Sequence, residues 1–325
     1  MAMALWINLK NNQMEKQLVV EKRFKALGTD IYFQLVCNES LKEAAEKDLV
    51  ALRDFYLSAE HIFSRFEENS ELNQLNNSLG KFSKASSHFL AVAKKILHYH
   101  DLSEGLFDPR VITILEQIGY AKDFGQVENL LSIREEKAIP KINAHRLEDD
   151  LVIWDEEISF NARMDFAGIA KGYITDNAGE MLKQFGWKNF LIDSGGDMLA
   201  WGKDKKGEDW KIDIEGIAEE KILLILKNEA VATSGIGKRK WQRGEKRFHH
   251  LVDPQAPESF SFDLQSVTVM ARTVVEADFW AKVLFIKGRE NGKKFALEHS
   301  LRAIFLDYRG NAWVSGEMKR NFYLV

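Results

Sequence analysis

The chain has 325 residues, 45% hydrophobic and 29% charged, with a net charge of −4 and a single cysteine. That length supports one large core or two closely associated ones. The acidic balance offers no global basic field to nucleic acid, one cysteine excludes a disulfide framework, and no apolar run approaches the ~20 residues of a membrane span.

Residues 1–17 form an N-terminal extension with neither the basic start nor the small-residue cleavage site of an export signal. The chain as given reads as cytoplasmic, or as periplasmic if a leader has been removed. Residues 18–36 read as two strands about Leu27-Gly28-Thr29, with Ile31, Phe33 and Leu35 alternating and Cys37 a buried thiol. An amphipathic helix is expected from Ser40 as N-cap to Phe63, because Leu41, Ala45, Leu49, Leu52, Phe55 and Tyr56 keep helical spacing. Asn69 or Ser70 caps a second helix, and a third runs from Ser86 to His100. Gly105 and Pro109 then mark a turn. Residues 121–150 are charged and contain Pro140, which predicts a surface excursion, and 151–160 read as a hairpin.

The stretch from Met164 to Gly202 organises the rest. Asp165 and the turn Ala167–Gly172 open a helix whose apolar face is Ala170, Ile174, Ala178, Met181, Leu182 and Phe185, and Gly186 ends it. A short strand, Asn189–Ile192, runs into Asp193-Ser194-Gly195-Gly196-Asp197. A glycine-lined helix start brings free backbone N–H groups to an anion, and a glycine pair after a strand lets a second backbone approach the same ligand. The unit therefore reads as the floor of a site for a phosphate-bearing cofactor. It is neither a Walker loop nor a dinucleotide fingerprint, and glycine is also ordinary punctuation at element ends.

Strands are expected at 210–217, 221–227 and 230–234. The basic stretch 236–248 reads as a solvated face, or alternatively as a loop that meets phosphates or an acidic partner. Ser266–Ala271 is a strand and Val274–Ile286 a helix. The final helix, strand and turn repeat the order of 169–201, with Asp193 and Asp307, and Gly196 and Gly310, at like positions. This is a weak internal duplication, two related halves of one α+β domain over 18–325.

Eight motifs taken in order resemble the ApbE family of FAD:protein FMN transferases. They are Leu27-Gly28-Thr29, Ser64–Asn76, Gly105–Pro109, Asp165–Asp176, Gly195-Gly196-Asp197, Ala232-Thr233-Ser234-Gly235, His249–Pro254 and Ser266–Asp278. The resemblance implies a T-fold-like α+β domain with mixed and antiparallel sheets and packed helices. It also implies FAD as substrate, with FMN moved to a Thr or Ser hydroxyl of an acceptor flavoprotein carrying a flavinylation motif, and release of AMP. By position, Leu27, Phe66, Leu106, Phe107, Asp108, Asp165, Lys171 and Leu251 would bind FAD. Phe66 offers a flat apolar face, Asp108 and Asp165 acceptors for ring or ribose donors, and Lys171 a point charge for phosphate. His250 would be the general base, with His249 as the alternative.

The family pattern also implies Mg²⁺, held by a backbone oxygen near Gly168 and by Asp278 with a Thr four residues on. Here that position is Lys282, which has no acceptor. Asp278 and Lys282 share one helix face, so the ammonium pairs with the carboxylate and takes the place of the metal's charge, or swings away while water completes the metal shell. Arg110 stands where the family has a Thr and could meet a phosphate. These departures keep two further readings open: an FAD-binding protein without transfer, and an FAD pyrophosphatase giving AMP and FMN.

Overall fold

The fold comes from a computed structural model that describes residues 17–120, 139, 142, 146–214, 222–237 and 239–324. Most of the expected 121–150 excursion, the extension before residue 17, Lys238 and the segment between the strands near 214 and 222 lie outside the described residues.

Strands β1 (Gln17–Ala26) and β2 (Thr29–Asn38) form a hairpin that pairs without a slip from Gln17 opposite Asn38 to Ala26 opposite Thr29. Its two-residue turn, Leu27-Gly28, has φ of 55° and 67°. Positive φ at both positions matches the twist of a tight hairpin. Leu27 is tied there by its N–H, which donates to Glu60 Oε1 at 2.5 Å. Glu60 belongs to α1 (Lys42–Phe63), which buries Ala45, Leu49, Leu52, Tyr56, Ala59 and Phe63. Ser40 does not cap this helix: a 3-10 turn, Glu39–Leu41, precedes it, and no side chain fills the N-cap role.

Ser70 Oγ caps α2 (Glu71–Asn76) by accepting from the Asn73 N–H at 3.1 Å. After β3 (Ser83–Lys84), Ser86 caps α3 (Ser87–Leu102) in the same way. A 3-10 turn at Pro109–Val111 leads into α4 (Ile112–Gln117), and α5 (Leu147–Asp150) precedes the hairpin of β4 (Leu151–Trp154) and β5 (Glu157–Phe160). The central unit is α6 (Ala167–Gln184), β6 (Phe190–Ser194) and β7 (Asp197–Trp201). Next come β8 (Trp210–Ile214), β9 (Ile222–Leu226), β10 (Glu229–Gly235), β11 (Lys240–Arg243), β12 (Lys246–His249) and β13 (Ser266–Ala271). Helices α7 (Val274–Ile286) and α8 (Gly288–Glu298), then β14 (Arg302–Leu306), β15 (Ala312–Val314) and β16 (Phe322–Leu324), follow.

Among the described residues, eight strands make one antiparallel sheet in the order β1-β2-β6-β7-β10-β13-β14-β15. Period-two alternation gives it two apolar faces. Phe33, Phe190, Ile192, Val267 and Phe305 point into a core shared with α1, α3, α6, α7 and α8. Val36, Leu191, Val231, Met270 and Ile304 point the other way, onto Trp210, Leu224 and Leu226 of the smaller sheet β8-β9-β16. The internal duplication is visible in this order. A helix precedes the β6–β7 hairpin and another precedes β14–β15. Asp193 and Asp307 close the two turns, accepting from Gly196 N–H at 2.7 Å and from Arg309 and Asn311 N–H at 2.9 Å each.

Helices α6 and α7 cross in backbone contact. A Cβ on Gly172 would stand 2.9 Å from Val275 Cα and 3.0 Å from its N. Four residues along α6, the Asp176 carboxylate accepts from the N–H groups of Val274 at 2.7 Å and Val275 at 3.0 Å, and so serves α7 as a cap borrowed from another helix. Burial raises the Asp176 carboxyl to about 6 despite those bonds. Overpacking a contact of this kind costs about 1–3 kcal/mol, so Gly172→Ala should lower the unfolding free energy by that amount in urea titration.

Candidate active site

The first wall of the site is built at the start of α6. Asp165 Oδ1 accepts from Ala167 N–H at 2.8 Å, and Asp165 N–H donates to Pro109 O at 2.8 Å, tying this turn to the 105–110 turn. Asp165 Oδ2 lies 3.3 Å from Arg65 Nε. The Arg65 guanidinium sits between two rings, 4.4 Å from the centre of Phe66 and 4.6 Å from that of Tyr120. Phe66 is 45% exposed, so the ring fixed by Arg65 keeps an open apolar face. Nothing in the local sequence marks Arg65 or Tyr120 as site residues. Arg65 lies inside a quoted motif, but only the fold brings it onto Asp165.

Asp108 is placed differently from expectation. It is buried, its Oδ1 accepts from the Arg110 backbone N–H at 2.8 Å and its Oδ2 from Arg110 Nη2 at 2.7 Å, and His100 Nε2 lies 3.5 Å away. Burial opposes ionisation, but His100 and Arg110 hold the carboxyl below its ordinary range. Asp108 thus shapes the turn instead of presenting open lone pairs. Arg110 reaches on to Asp150 Oδ2 at 2.7 Å, which commits it to two buried carboxylates rather than to a phosphate.

Phe107 and Leu251 are buried and Leu106 half-buried. A Cβ on Gly168 would fall 3.1 Å from the Phe107 ring, so glycine there lets the ring lie on the first turn of α6. Leu27 lies in the β1–β2 turn, which Thr29 sets against the β6–β7 turn: a Cβ on Gly195 would stand 2.9 Å from Thr29 Cβ.

Four charges sit beneath that turn. Lys171 Nζ donates to Ser194 O at 3.0 Å and pairs with Asp197 Oδ2. Lys282 Nζ pairs with Asp278 Oδ1, one helical turn away, as the spacing predicts. Both carboxylates are buried. Burial pushes the Asp197 carboxyl up; Lys171 opposes that, the charge of Asp278 adds to it, and Lys282 opposes it again. Gly168 belongs to the same cluster, because its Cβ would lie 3.8 Å from Lys282 Cε.

The fold therefore brings Gly168, Asp278 and Lys282 together, but not as a donor set for Mg²⁺. Asp278 Oδ2 is buried without a hydrogen-bond partner among the described residues, yet Oδ1 already carries an ammonium. No group of three His, Cys, Asp or Glu placed to hold a metal occurs among the described residues. A hard divalent ion takes about six oxygens, while here two lysines already balance two aspartates. The residues as arranged do not fit it.

The histidine pair divides cleanly. His249 is buried among Phe260, Phe262 and Phe285, with Nε2 3.0 Å from Ser261 O. His250 is half-buried, its ring centre 6.5 Å from that of Tyr120 and its Nδ1 3.3 Å from Arg239 O. A carbonyl only accepts, so Nδ1 carries the proton and Nε2 keeps its lone pair. Burial first, and the Arg239 charge second, lower His250 to about 3; burial lowers His249 to about 4.

The ApbE family model matches residues 27–305. The FAD:protein FMN transferase of Haemophilus influenzae is 24% identical over 326 residues, covering 97% of this chain and 93% of that protein. Among solved structures, the flavin transferase ApbE from Vibrio cholerae has a TM-score of 0.76 at 19% identity, covering 94% of this chain and 99% of that one. The apo flavinyl transferase ApbE of Pseudomonas stutzeri has a TM-score of 0.79 at 20% identity, covering 94% and 97%. These structural likenesses establish the fold.

The lowered histidines can be read directly. Because burial disfavours the imidazolium, protonation needs more acid than an ordinary imidazole at 6.5. In NMR titration, His249 and His250 should stay neutral from pH 8 down to pH 5 and titrate only below that.

Proposed function

The chain belongs to the ApbE family, and we propose that it is an FAD:protein FMN transferase. The observation that carries this reading is the convergence of three features: the start of α6 with Lys171, the open ring of Phe66, and the unprotonated Nε2 of His250 beyond Tyr120. FAD lies with its flavin on Phe66 and its pyrophosphate near the start of α6, where the helix dipole favours an anion. The acceptor hydroxyl, from Thr or Ser, attacks the phosphorus on the FMN side. One phosphoester bond forms, the pyrophosphate bond breaks, and AMP leaves with the electron pair. His250 Nε2 takes the hydroxyl proton. Its lowered proton affinity keeps it unprotonated at working pH but makes it a weak base, so positioning supplies most of its effect.

Lys282 is the departure that decides the electrostatics. Its ammonium occupies the place beside Asp278 and Gly168 where the family pattern implies Mg²⁺, and it supplies positive charge to the leaving phosphate. Two lysines held by two carboxylates form a preorganised patch that needs no divalent ion. The same pair supports a second reading, FAD binding without transfer, since an ammonium fully engaged with Asp278 has less charge to offer.

Two measurements test the assignment. AMP release from FAD and covalent flavin on an acceptor protein should persist in EDTA for the wild type. Lys282→Thr should lose about 10-fold or more in EDTA and recover with Mg²⁺. Loss of wild-type turnover in EDTA would sink the Lys282 proposal, and activity confined to Lys282→Thr with Mg²⁺ would establish the binding protein. Separately, His250→Gln should lower kcat by about 10²–10⁴ with FAD affinity unchanged, the range expected on removing a general base.

A further inference from the structure

Three hydroxyls lie buried beneath the Gly195-Gly196 turn, and the transfer chemistry described above does not use them. Tyr56 of α1, Thr175 of α6 and Ser194 at the end of β6 are all fully buried. The Tyr56 hydroxyl lies 2.9 Å from Ser194 Oγ and donates to Thr175 Oγ1 at 3.2 Å. Thr175 Oγ1 is in turn 2.8 Å from Ser194 Oγ and 2.9 Å from the carbonyl oxygen of Lys171, one helical turn back. The three oxygens form a closed triangle drawn from three different elements. The Tyr56 ring is held edge-on by Phe24 and Phe33, with centres 5.8 Å and 5.4 Å away. Burial pushes its hydroxyl above the ordinary range, so it stays a neutral donor. Polar groups in an apolar core are unfavourable unless each is satisfied, and a satisfied network fixes the geometry around it.

What this network fixes is Lys171, which it grips at both ends. Thr175 reaches the Lys171 carbonyl, and Ser194 supplies the carbonyl oxygen that accepts from Lys171 Nζ at 3.0 Å. Nζ also pairs with Asp197, the first residue of β7. An ammonium has three hydrogens. Two are taken here, and the third has no partner among the described residues, on a side chain that is 24% exposed. A free lysine spreads over many rotamers, whereas two fixed bonds aim the remaining hydrogen. We propose that Tyr56, Thr175 and Ser194 are positioning residues that aim Lys171 at a phosphate of the bound nucleotide. The inference rests on the reading of Lys171 as a pyrophosphate ligand. A core that merely satisfies its own polar groups would lose stability without them, but would show no preference among ligands.

Equilibrium binding separates the two roles, because ADP carries a pyrophosphate without a flavin and riboflavin a flavin without a phosphate. In calorimetry, Tyr56→Phe and Thr175→Val should each weaken ADP binding about 3-fold or more. Riboflavin binding, read by fluorescence quenching, should stay unchanged. Thr175→Ser, which keeps the hydroxyl, should restore ADP affinity. Added to Lys171→Met, Tyr56→Phe should lower ADP affinity no further, because the network acts through that ammonium. A lower thermal midpoint with both ligands bound as in wild type makes the hydroxyls structural and overturns the proposal. So do losses that add in the double variant, equal losses for ADP and riboflavin, or a wild type that does not bind ADP. The double variant reads ADP alone and the Thr175 pair needs no change at Lys171, so neither a weak riboflavin signal nor an unfolded Lys171→Met leaves the question open. A wild type that shows these couplings but places no covalent flavin on an acceptor protein removes the transfer reading and keeps the positioning role.

Discussion

The crossing of α6 and α7 at Gly172 fixes the charged cluster of the site. Only a residue without a Cβ lets the two backbones meet there, and Asp176 then locks the approach by receiving two N–H groups of the second helix. Lys171 and Gly168 stand on one side of the crossing, and Asp278 and Lys282 on the other. The four charges occupy one small volume because two helices cannot sit further apart without orphaning the first turn of α7. Ionised groups so close and so buried are tolerated only when each meets an opposite charge, and the alternation Lys171–Asp197, Asp278–Lys282 satisfies that condition.

Much of this was legible from residue order, where the physics is local. Alternation of Ile31, Phe33 and Leu35 marked β2, Ser70 and Ser86 announced their helices, and the four-residue step from Asp278 to Lys282 placed an ion pair on one helix face. Where a partner comes from afar, the reading ran out. Asp108 looked like a free acceptor because nothing in its neighbourhood reveals that Arg110 folds back on it and reaches Asp150, 40 positions on. Lys171 looked like a free cation because Asp197 approaches it from a different element. Ser40 had the chemistry of a cap, yet the chain winds into a 3-10 turn there and the α-helix starts later. The glycine at 172 read as part of a ligand turn, whereas its absent side chain serves helix packing.

The duplicated architecture is used unequally. Both halves close a strand pair with an aspartate that collects backbone N–H groups, Asp193 in one and Asp307 in the other. Beneath the first turn lie Lys171 and the carboxylates of the site. Beside the second, Arg289 Nη1 stands 3.4 Å from Asp307 itself and half-exposed, a contact that supports the turn. One scaffold repeated twice thus yields one reactive end and one structural end, distinguished by what a single cation is paired with.

The neutrality of the four-charge cluster has a consequence for how a nucleotide arrives. Two ammonium groups cancelled by two carboxylates within a few ångströms leave little potential beyond about one Debye length, ~8–10 Å. This cluster therefore adds little long-range attraction for a negatively charged dinucleotide, and what it contributes to capture is made at short range, where the rate is nearly indifferent to ionic strength.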